Sequence, residues 1–452
     1  MKRALLISII ILTAVASITT PAHADVVDNL LNKLRAKKLL TEAEYHEMRA
    51  EVEYLALRAE VEAEKKRAEA EANKSDLIAK FKDGFILESK DKQNSLAFIG
   101  RVHADYRYFT PNTPTNPSTF EVRRAYLGVK GKVYGEMEFE VSGDFAGKPE
   151  LKKAWINFDA MKSMQFQMGQ FTLPFGLESM MSSNKNDFQE SALATRLTPG
   201  EEPGAMVHGA PFGGFTYALA MSNGSGANAN STRDNKDSIS RLTFNFAEML
   251  NAKNVVTHLG LAYSDGIESN STLTDKIKSE GRGVATIFQG TAPTGAQSYE
   301  HRRRGGLEVA LAVGSFKLQG EKVWVKFDVV NADGSGSLPN IDASYVSAVW
   351  VMTGESWADT YKNGEFNNIK PFKKGNGHAG AWALGLRYST FHADDFVSYT
   401  GTTGAKAGTA GLNWMPNNMA RVMLNYVYTQ YDTPIAAQLD EKAVTLRAQL
   451  SW

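Results

Sequence analysis

The 452-residue chain contains 50 basic and 50 acidic residues, so its formal net charge is zero, and it contains no cysteine. The lack of cysteine excludes a disulfide framework, a thiolate metal site and a cysteine nucleophile. After residue 24, no segment is apolar over the roughly 20 residues that a transmembrane helix requires. Any membrane insertion must therefore use a closed β-barrel, because only helices and barrels satisfy every backbone polar group in lipid.

The first 24 residues have the pattern of a secretory signal peptide. A basic start precedes an apolar run over residues 4–15, and the sequence Ala-His-Ala at residues 22–24 matches an A-x-A cleavage site. A membrane anchor is the alternative, but the apolar run is shorter than the roughly 20 residues that span a bilayer. We therefore predict an exported protein whose mature chain begins at Asp25.

Residues 25–83 form a compositionally distinct segment that predicts helix. They are rich in Ala, Glu, Lys, Arg and Leu and contain neither Gly nor Pro. Thr41 and Glu44 form a cap-like start for one helix, and the leucines between residues 30 and 40 predict a shorter helix that packs back on it. Residues with the 3–4 spacing of a coiled coil are Tyr45, Met48, Val52 and Leu55. A trimeric coiled coil and a single charged helix in solvent are the two alternatives for this periplasmic segment.

From residue 96 onward, apolar and polar residues alternate with a period of two in sixteen successive segments. In the first of them, residues 102, 104, 106 and 108 are Val, Ala, Tyr and Tyr, whereas residues 101, 103, 105 and 107 are Arg, His, Asp and Arg. The segments are 97–109, 120–133, 135–145, 152–159, 163–171, 204–211, 213–222, 238–247, 254–264, 303–313, 315–330, 341–352, 379–391, 403–414, 418–431 and 444–452. An even number of such segments is typical of bacterial outer-membrane barrels. The sequence therefore predicts an all-β transmembrane barrel of about 16 antiparallel strands over residues 84–452, after an α-helical or coiled-coil segment.

The two faces of these segments differ in chemistry. The apolar faces carry mainly Val, Leu, Phe, Tyr and Ala, and the polar faces carry many charges, which predicts lipid outside and water inside. Aromatic residues that indicate the membrane interfaces are Tyr106, Tyr108, Trp382, Tyr388, Trp414, Tyr426, Tyr428 and Trp452. The terminal Trp452 also resembles the signal that barrel-assembly machinery uses during insertion.

The connections between the segments predict an orientation. If the first strand runs outward, the longer connections face the cell exterior and most periplasmic turns are short. Residues 353–378 are the exception, because they form a long periplasmic connection. Either the strand register slips there or that turn is elaborated. Residues 172–203, the longest early connection, follow the fifth strand, and we expect them to fold into the barrel and narrow the lumen.

Several runs resemble the phosphate-selective porin O and P family. They are RRAYLGVKG at residues 123–131, GQF at 169–171, PFGLE at 174–178, MTGES at 352–356, GAW at 380–382, RYS at 387–389, GLNW at 411–414 and VMLNY at 422–426. In order and spacing these runs cover most of residues 95–452. The resemblance implies a homotrimeric sixteen-stranded channel of the bacterial outer membrane, with a basic lumen in its anion-selective members.

Basic side chains at a narrow place would give such a pore its selectivity, because Arg and Lys attract anions and Arg can bind phosphate through two donors. The candidate pore-lining, anion-guiding residues are Arg101, Arg107, Arg123, Arg124, Lys130, Lys132, Lys153, Arg241, Arg304, Arg387 and Arg421. The members expected to form a basic funnel near the outer mouth are Arg107, Arg123, Arg124 and Arg304. Alternatively, these are solvated lumen charges paired with neighbouring carboxylates. Within the constriction loop, Lys185 and Arg196 oppose Glu178, Asp187 and Glu190, so the charge of the loop itself does not decide the ion preference.

Strand alternation distinguishes two adjacent arginines. Arg124 shares its parity with Lys130 and Lys132, which predicts an inward side chain. Arg123 shares the outward parity of Leu127. It can therefore stay hydrated only if the strand begins above the lipid edge or if the constriction loop draws it inward.

These observations predict an outer-membrane channel for passive diffusion of small hydrophilic solutes, with a preference for phosphate or other small anions. The alternatives are a general diffusion porin without anion selectivity and a structural tether or adhesin barrel. The sequence contains no HExxH, GxSxG or Walker motif, and we expect no enzymatic activity, cofactor, metal site or nucleic-acid partner. The expected partners are outer-membrane lipid, small anions and further copies of the chain.

Overall fold

The computed structural model describes residues 21–72, 77–81, 83–111, 116–231, 234–268, 273, 276–283, 285–291, 296–331, 336–372 and 380–452. The chain divides into two compact units, residues 1–78 and 79–452. The predicted signal peptide lies outside the described residues, except for its last four residues. These four begin helix α1, Pro21–Ala36.

The N-terminal unit contains α1 and a longer helix, α2, Glu42–Ala72. Val27 and Leu31 of α1 are buried against Tyr45 and Val52 of α2. The short first helix therefore packs back on the second, as predicted. Tyr45 and Val52, two residues of the predicted coiled-coil seam, are covered within this chain.

A capping box begins α2. The Thr41 hydroxyl accepts the backbone N–H of Glu44 at 3.3 Å, and the Glu44 carboxylate accepts the backbone N–H of Thr41 at 2.9 Å. This reciprocal pair satisfies backbone donors that a helix leaves open at its start. The predicted helix start is confirmed. Among the described helices, none is both long and apolar enough to cross a membrane.

The second unit is built from sixteen long antiparallel strands. They are β1 Ser95–Thr110, β2 Thr119–Val133, β3 Met137–Asp144, β4 Glu150–Met161, β5 Met164–Thr172, β6 Glu201–Phe212, β7 Phe215–Ser222, β8 Asp237–Asn245, β9 Val255–Ile267, β10 Ala296–Val313, β11 Phe316–Asn331, β12 Asn340–Val351, β13 Ala381–His392, β14 Gly404–Met415, β15 Ala420–Ile435 and β16 Gln438–Ser451. Shorter strands are Leu77–Phe81, Phe85–Ser89, Phe288–Gly290, Gly336–Ser337, Tyr361–Lys362, Glu365–Phe366 and Tyr399–Gly401. Short helical turns are Leu177–Met180, Ala194–Leu197, Phe246–Met249 and Ala358–Thr360.

Pairing of the first and last long strands closes the sheet into a barrel. Each strand pairs with the next, and β16 pairs with β1 from Lys442 opposite Thr110 to Ser451 opposite Arg101. Closure leaves no open edge, which is what a sheet in lipid requires. Each of the sixteen alternating segments overlaps one strand, so the predicted barrel is confirmed.

Along β16 the outward and inward faces alternate in chemistry. Leu446 is 43 % exposed on the outside, whereas Arg447 is 1 % exposed and Thr445 is 2 % exposed on the inside. The same alternation places predicted interface aromatics such as Tyr388 and Tyr426 outward. An apolar exterior around a polar interior matches the predicted orientation of the faces.

Three connections fold into the interior. The first is the constriction loop, residues 173–200, where Phe175 is fully buried. The second joins β9 to β10, and Phe288 is buried in its described part. The third joins β12 to β13 and buries Trp357. The predicted inward course of the constriction loop is confirmed.

The long connection between β12 and β13 is an elaborated turn and not a register slip. β12 ends at Val351 and β13 begins at Ala381, and residues 373–379 between them lie outside the described part. Lys317 of β11 links this turn to the constriction loop, because its ammonium lies 3.8 Å from the Trp357 ring centroid and 2.8 Å from the Asp187 carboxylate.

The second half of β11 is apolar on its inward face, where a wet lumen would require polar side chains. Val323, Val325 and Phe327 are buried inside the barrel, whereas Trp324 between them is exposed. These inward side chains form a hydrophobic core with the inward-folded connections. The barrel interior is therefore partly a packed core and only partly a wet lumen.

We expect Gly169→Val to destabilise the barrel in β5, just before the constriction loop. Gly169 has φ +126°, and a Cβ there would lie 2.7 Å from Trp155 Cα and collide with the Ala154 carbonyl oxygen. Overpacking of this kind costs about 1–3 kcal/mol. The matched control is Gly408→Val, because a Cβ at Gly408 meets nothing within 4 Å.

The measurement is the temperature at which the folded form is lost in detergent, read from the mobility shift on gels. Gly169→Val should lower that temperature and Gly408→Val should not. Equal behaviour of the two variants would contradict the packing argument.

Candidate functional site

A polar cavity of about 510 Å³ lies between the constriction loop and the wall formed by β1–β4. Its cationic side chains are Arg101, Arg124, Lys130, Lys152, Lys153 and Lys185. Its carboxylates are Glu140, Glu178, Glu201 and Glu365. Six cations face four carboxylates here although the chain as a whole is neutral. Two of these cations are paired with carboxylates beside the lining, Arg124 with Asp144 at 2.9 Å and Lys152 with Glu150 at 2.7 Å. The free positive charge of the cavity therefore depends on the other four cations.

Arg101 is held by neutral groups. Its guanidinium carbon lies 4.0 Å from the Tyr126 ring centroid, and the group donates to the Ser182 hydroxyl and, at 3.4 Å, to the Asn184 side chain. Within the described part of the chain, no carboxylate lies within ion-pair distance of Arg101 or of Lys130. Both residues therefore present uncancelled charge to the cavity.

Two cavity lysines have only distant partners. Lys153 lies 3.9 Å from Glu140, and Lys185 of the constriction loop lies 4.0 Å from Glu365. Partly exposed ion pairs at such distances are weak. The two ammonium groups therefore remain able to attract an anion.

A β-bulge in β2 decides where the adjacent arginines point. His103 of β1 pairs with Arg124, whereas the next residue, Ala104, pairs with Val122. Arg123 is the extra residue between them. A bulge leaves one residue out of the ladder and re-aims its side chain, so simple alternation does not hold across this point.

Both arginines point into the barrel as a result. Arg124 donates to Asp144 at 2.9 Å, and Arg123 donates to Glu190 of the constriction loop at 2.9 and 3.2 Å. The inward side chain predicted for Arg124 is confirmed. For Arg123 the structure shows the second of the two predicted alternatives, because the bulge and the loop carboxylate Glu190 bring this side chain inside.

A second β-bulge explains why Lys152 lines the cavity although strand alternation does not predict it. Ser142 of β3 pairs with Lys153, and Gly143 pairs with Leu151, which leaves Lys152 as the extra residue of β4. Alternation with Lys153 would place Lys152 on the lipid face. The bulge instead lets both adjacent lysines line the cavity.

Several predicted pore-lining arginines are buried and bound to protein groups, and they are Arg107, Arg241, Arg304, Arg387 and Arg421. Arg107 is an example, at 2.7 Å from Asp105 and 2.8 Å from both Glu121 and Glu190. Arg107 and Arg123 therefore do not contribute to the predicted open basic funnel, since carboxylates neutralise both.

Two further arginines hold the backbone of the constriction loop. Arg421 donates to the Asn186 carbonyl at 2.8 Å, and Arg304 donates to the Leu197 carbonyl at 2.9 Å. Strong charge-assisted hydrogen bonds of this kind fix a loop that has little regular structure. These arginines position the loop.

Arg241 and Lys132 also have close carboxylate partners. Arg241 lies 2.7 Å from Glu308, and Lys132 lies 2.6 Å from Asp159 near the end of β4. Neither residue lines the cavity. They support the alternative that part of the lumen charge is paired.

Glu190 is the main anchor of the constriction loop. Its carboxylate lies 2.8 Å from Arg107, 2.9 Å from Arg123 and 3.1 Å from Arg447, with Arg196 at 3.6 Å. Burial alone would raise the pKa of Glu190, but the three close guanidinium groups hold its pKa well below the usual value. No local motif marks this residue, because its partners come from distant strands.

The other acidic loop residues are anchors as well. Glu178 accepts the backbone N–H of Ala192 at 2.8 Å and lies 3.3 Å from Arg387. Asp187 lies 2.8 Å from Lys317. Of the four predicted loop residues, Lys185 thus differs from the acids in having only a distant ion partner, Glu365 at 4.0 Å. Among the described residues, no group of His, Asp and Glu is placed to hold a metal ion.

A closed sixteen-stranded barrel narrowed by a loop after its fifth strand defines a porin of the bacterial outer membrane. The family described as phosphate-selective porin O and P matches residues 97–452, and the chain belongs to this family. The chain is 27 % identical to Porin O of Pseudomonas aeruginosa over 399 residues, which cover 79 % of this chain and 88 % of the relative. The predicted family and the predicted outer-membrane channel are confirmed.

Solved structures share the fold at low sequence identity. An anion-selective porin from Comamonas acidovorans is 11 % identical and superposes with a TM-score of 0.51, covering 80 % of this chain and 100 % of that one. A loop-deletion mutant of OmpT, an outer membrane protein of Vibrio cholerae, is 12 % identical with a TM-score of 0.50, at 80 % and 100 % coverage. At these identities the likeness shows the barrel fold alone.

We expect Arg124→Ala to shift the ion preference of the pore toward cations, because it removes a cavity charge and frees the Asp144 carboxylate. Arg123→Ala should shift it less, because Arg123 does not line the cavity and its partner Glu190 would still be bound by Arg107 and Arg447. The measurement is the reversal potential of the two variants in a KCl gradient. The difference in reversal potential between the two variants should be larger at low salt. At about 0.01 M the screening length is about 30 Å, whereas at 0.15 M it is about 8 Å. Equal shifts would show that Arg123 also contributes free charge.

Proposed function

We propose that the protein conducts phosphate and other small anions by passive diffusion through the cavity between the constriction loop and β1–β4. The observation that carries this proposal is that two cations of that cavity, Arg101 and Lys130, have no carboxylate within ion-pair distance among the described residues. The relatives point the same way, since one is named as anion-selective and the family description names phosphate. The proposal includes no catalytic step.

The charges of the cavity favour anions over cations without binding an anion tightly. Arg101 and Lys130 supply uncancelled charge, whereas the Glu178 carboxylate is already engaged by the loop backbone. Cations in a narrow, water-poor passage replace part of the hydration shell of an anion. The remaining carboxylates moderate the binding, so an anion can both enter and leave.

We also propose the export and assembly steps that the sequence predicts. Residues 1–24 would be cleaved, residues 25–83 would lie in the periplasm, and residues 84–452 would form the barrel as one of three identical copies in the membrane. Trp452 would act in barrel assembly. Its position supports that role, because its backbone exchanges hydrogen bonds of 3.0 and 3.1 Å with Gly100 at the closing seam.

The experiment that tests anion conduction is a reversal-potential measurement on the purified protein in a planar bilayer. In a KCl gradient the potential should move toward the chloride equilibrium potential. A potential near zero would favour a general diffusion porin, and no conductance at all would favour a structural barrel. Addition of phosphate at constant ionic strength should reduce the chloride current if both anions share the cavity.

Two lysines of β2 provide a matched pair of variants. Lys130 lines the cavity, whereas Lys132 is bound to Asp159 at 2.6 Å outside it. In a KCl gradient, we expect Lys130→Gln to move the reversal potential toward the potassium equilibrium potential. We expect Lys132→Gln to leave the reversal potential nearly unchanged. Both variants should insert normally, because neither removes a lipid-facing apolar side chain. A larger shift for Lys132→Gln would place the selective passage elsewhere.

A further inference from the structure

The carboxylate of Glu280 is surrounded by hydrogen-bond donors inside the barrel. Glu280 belongs to residues 276–283, a described part of the connection between β9 and β10, and is 3 % exposed. Its donors are Arg387 Nε at 3.0 Å, Arg387 Nη2 at 2.6 Å, Ser389 Oγ at 2.5 Å, Thr409 Oγ1 at 2.8 Å and the Leu193 backbone N–H at 3.2 Å. Five donors on one carboxylate exceed what an ordinary surface ion pair receives.

The donors belong to parts of the molecule that exist without Glu280. Arg387 and Ser389 lie on β13, Thr409 lies on β14, and Leu193 lies on the constriction loop. A guanidinium group with adjacent hydroxyls and a backbone N–H is the donor set that recognises an oxyanion. The acceptor alone comes from the inward-folded connection.

Other contacts hold the same connection in place. The Ser279 hydroxyl donates to Glu441 at 2.6 Å, and Arg107 donates to the Gly281 carbonyl at 2.9 Å. The loop tip is thus fixed on both sides of Glu280 by groups that do not touch Arg387. Glu280 is therefore not needed simply to tether the loop.

We propose that Arg387, Ser389, Thr409 and the Leu193 N–H form a second anion site, for a small carboxylate or phosphate, and that the Glu280 carboxylate is its resident ligand. By occupying the site, Glu280 cancels the charge of Arg387 and keeps this side of the lumen out of conduction. Arg387 also lies 3.3 Å from Glu178, which lines the cavity, whereas Arg387 itself does not. Glu280 is thus a specificity-determining residue that confines anions to the β1–β4 passage.

The test is Glu280→Ala, measured as single-channel current in KCl while sodium acetate or inorganic phosphate replaces chloride at constant ionic strength. The variant should show a saturable, acetate-dependent change in current that the wild-type protein lacks, because acetate can occupy the vacated carboxylate position. Adding Ser389→Ala and Thr409→Val should weaken the acetate effect roughly tenfold or more, since each removes a hydrogen bond to a charged group.

The matched control is Glu441→Ala, which removes a buried anchor of the same connection without exposing Arg387. It should show no acetate dependence, so an acetate effect there would mean that loop loosening, and not a vacated site, is responsible. A correctly inserted Glu280→Ala protein without any acetate or phosphate dependence would overturn the proposal.

If Glu280→Ala does not insert, Glu280→Gln keeps the shape of the side chain and removes its charge. In a KCl gradient, that variant should have a reversal potential closer to the chloride equilibrium potential than the wild type has. An unchanged reversal potential would also overturn the proposal. These outcomes are separable from the test of anion conduction, because that test uses only the wild-type protein.

Discussion

The arrangement of the lumen depends on one buried carboxylate, Glu190, that binds three guanidinium groups. Arg107, Arg123 and Arg447 belong to β1, β2 and β16, so this contact joins the constriction loop to the seam where the first and last strands pair. A buried charge that loses its partner costs several kcal/mol. The buried position of the Glu190 carboxylate and that of the three arginines therefore depend on each other. The cavity is the space that remains between the loop, held in this way, and the wall formed by β1–β4.

The barrel could be predicted from the sequence because lipid and water impose opposite demands on alternate residues. Each strand therefore shows the alternation of apolar and polar residues independently, and all sixteen such segments indicate the same barrel. The interior core could not be predicted in the same way. Val323, Val325 and Phe327 face inward and still are apolar, because they pack against connections that enter the barrel. Alternation identifies the inward face but does not reveal what covers it.

The candidate site was predicted in part, and the limit lies in the pairing of charges. Arg101, Lys130 and Lys153 line the cavity as expected. Arg387 was expected to behave in the same way, but it pairs with Glu280, 107 residues earlier in the chain. Sequence position fixes the sign of a charge and often its face. Whether that charge is free depends on long-range partners in loops, and no local pattern encodes those.

The two bulges have a consequence for how such a wall can change over evolution. A regular strand offers one inward side chain for about every 7 Å of its length, whereas Arg123 and Lys152 each add a cation between two regular positions. Removing either residue would leave Val122 and Leu151 on the lipid face, because the alternation on both sides of the bulge is already in register. The charge density of the wall can therefore change through the insertion or deletion of a single codon, without any exchange between the lipid-facing and water-facing sets of residues.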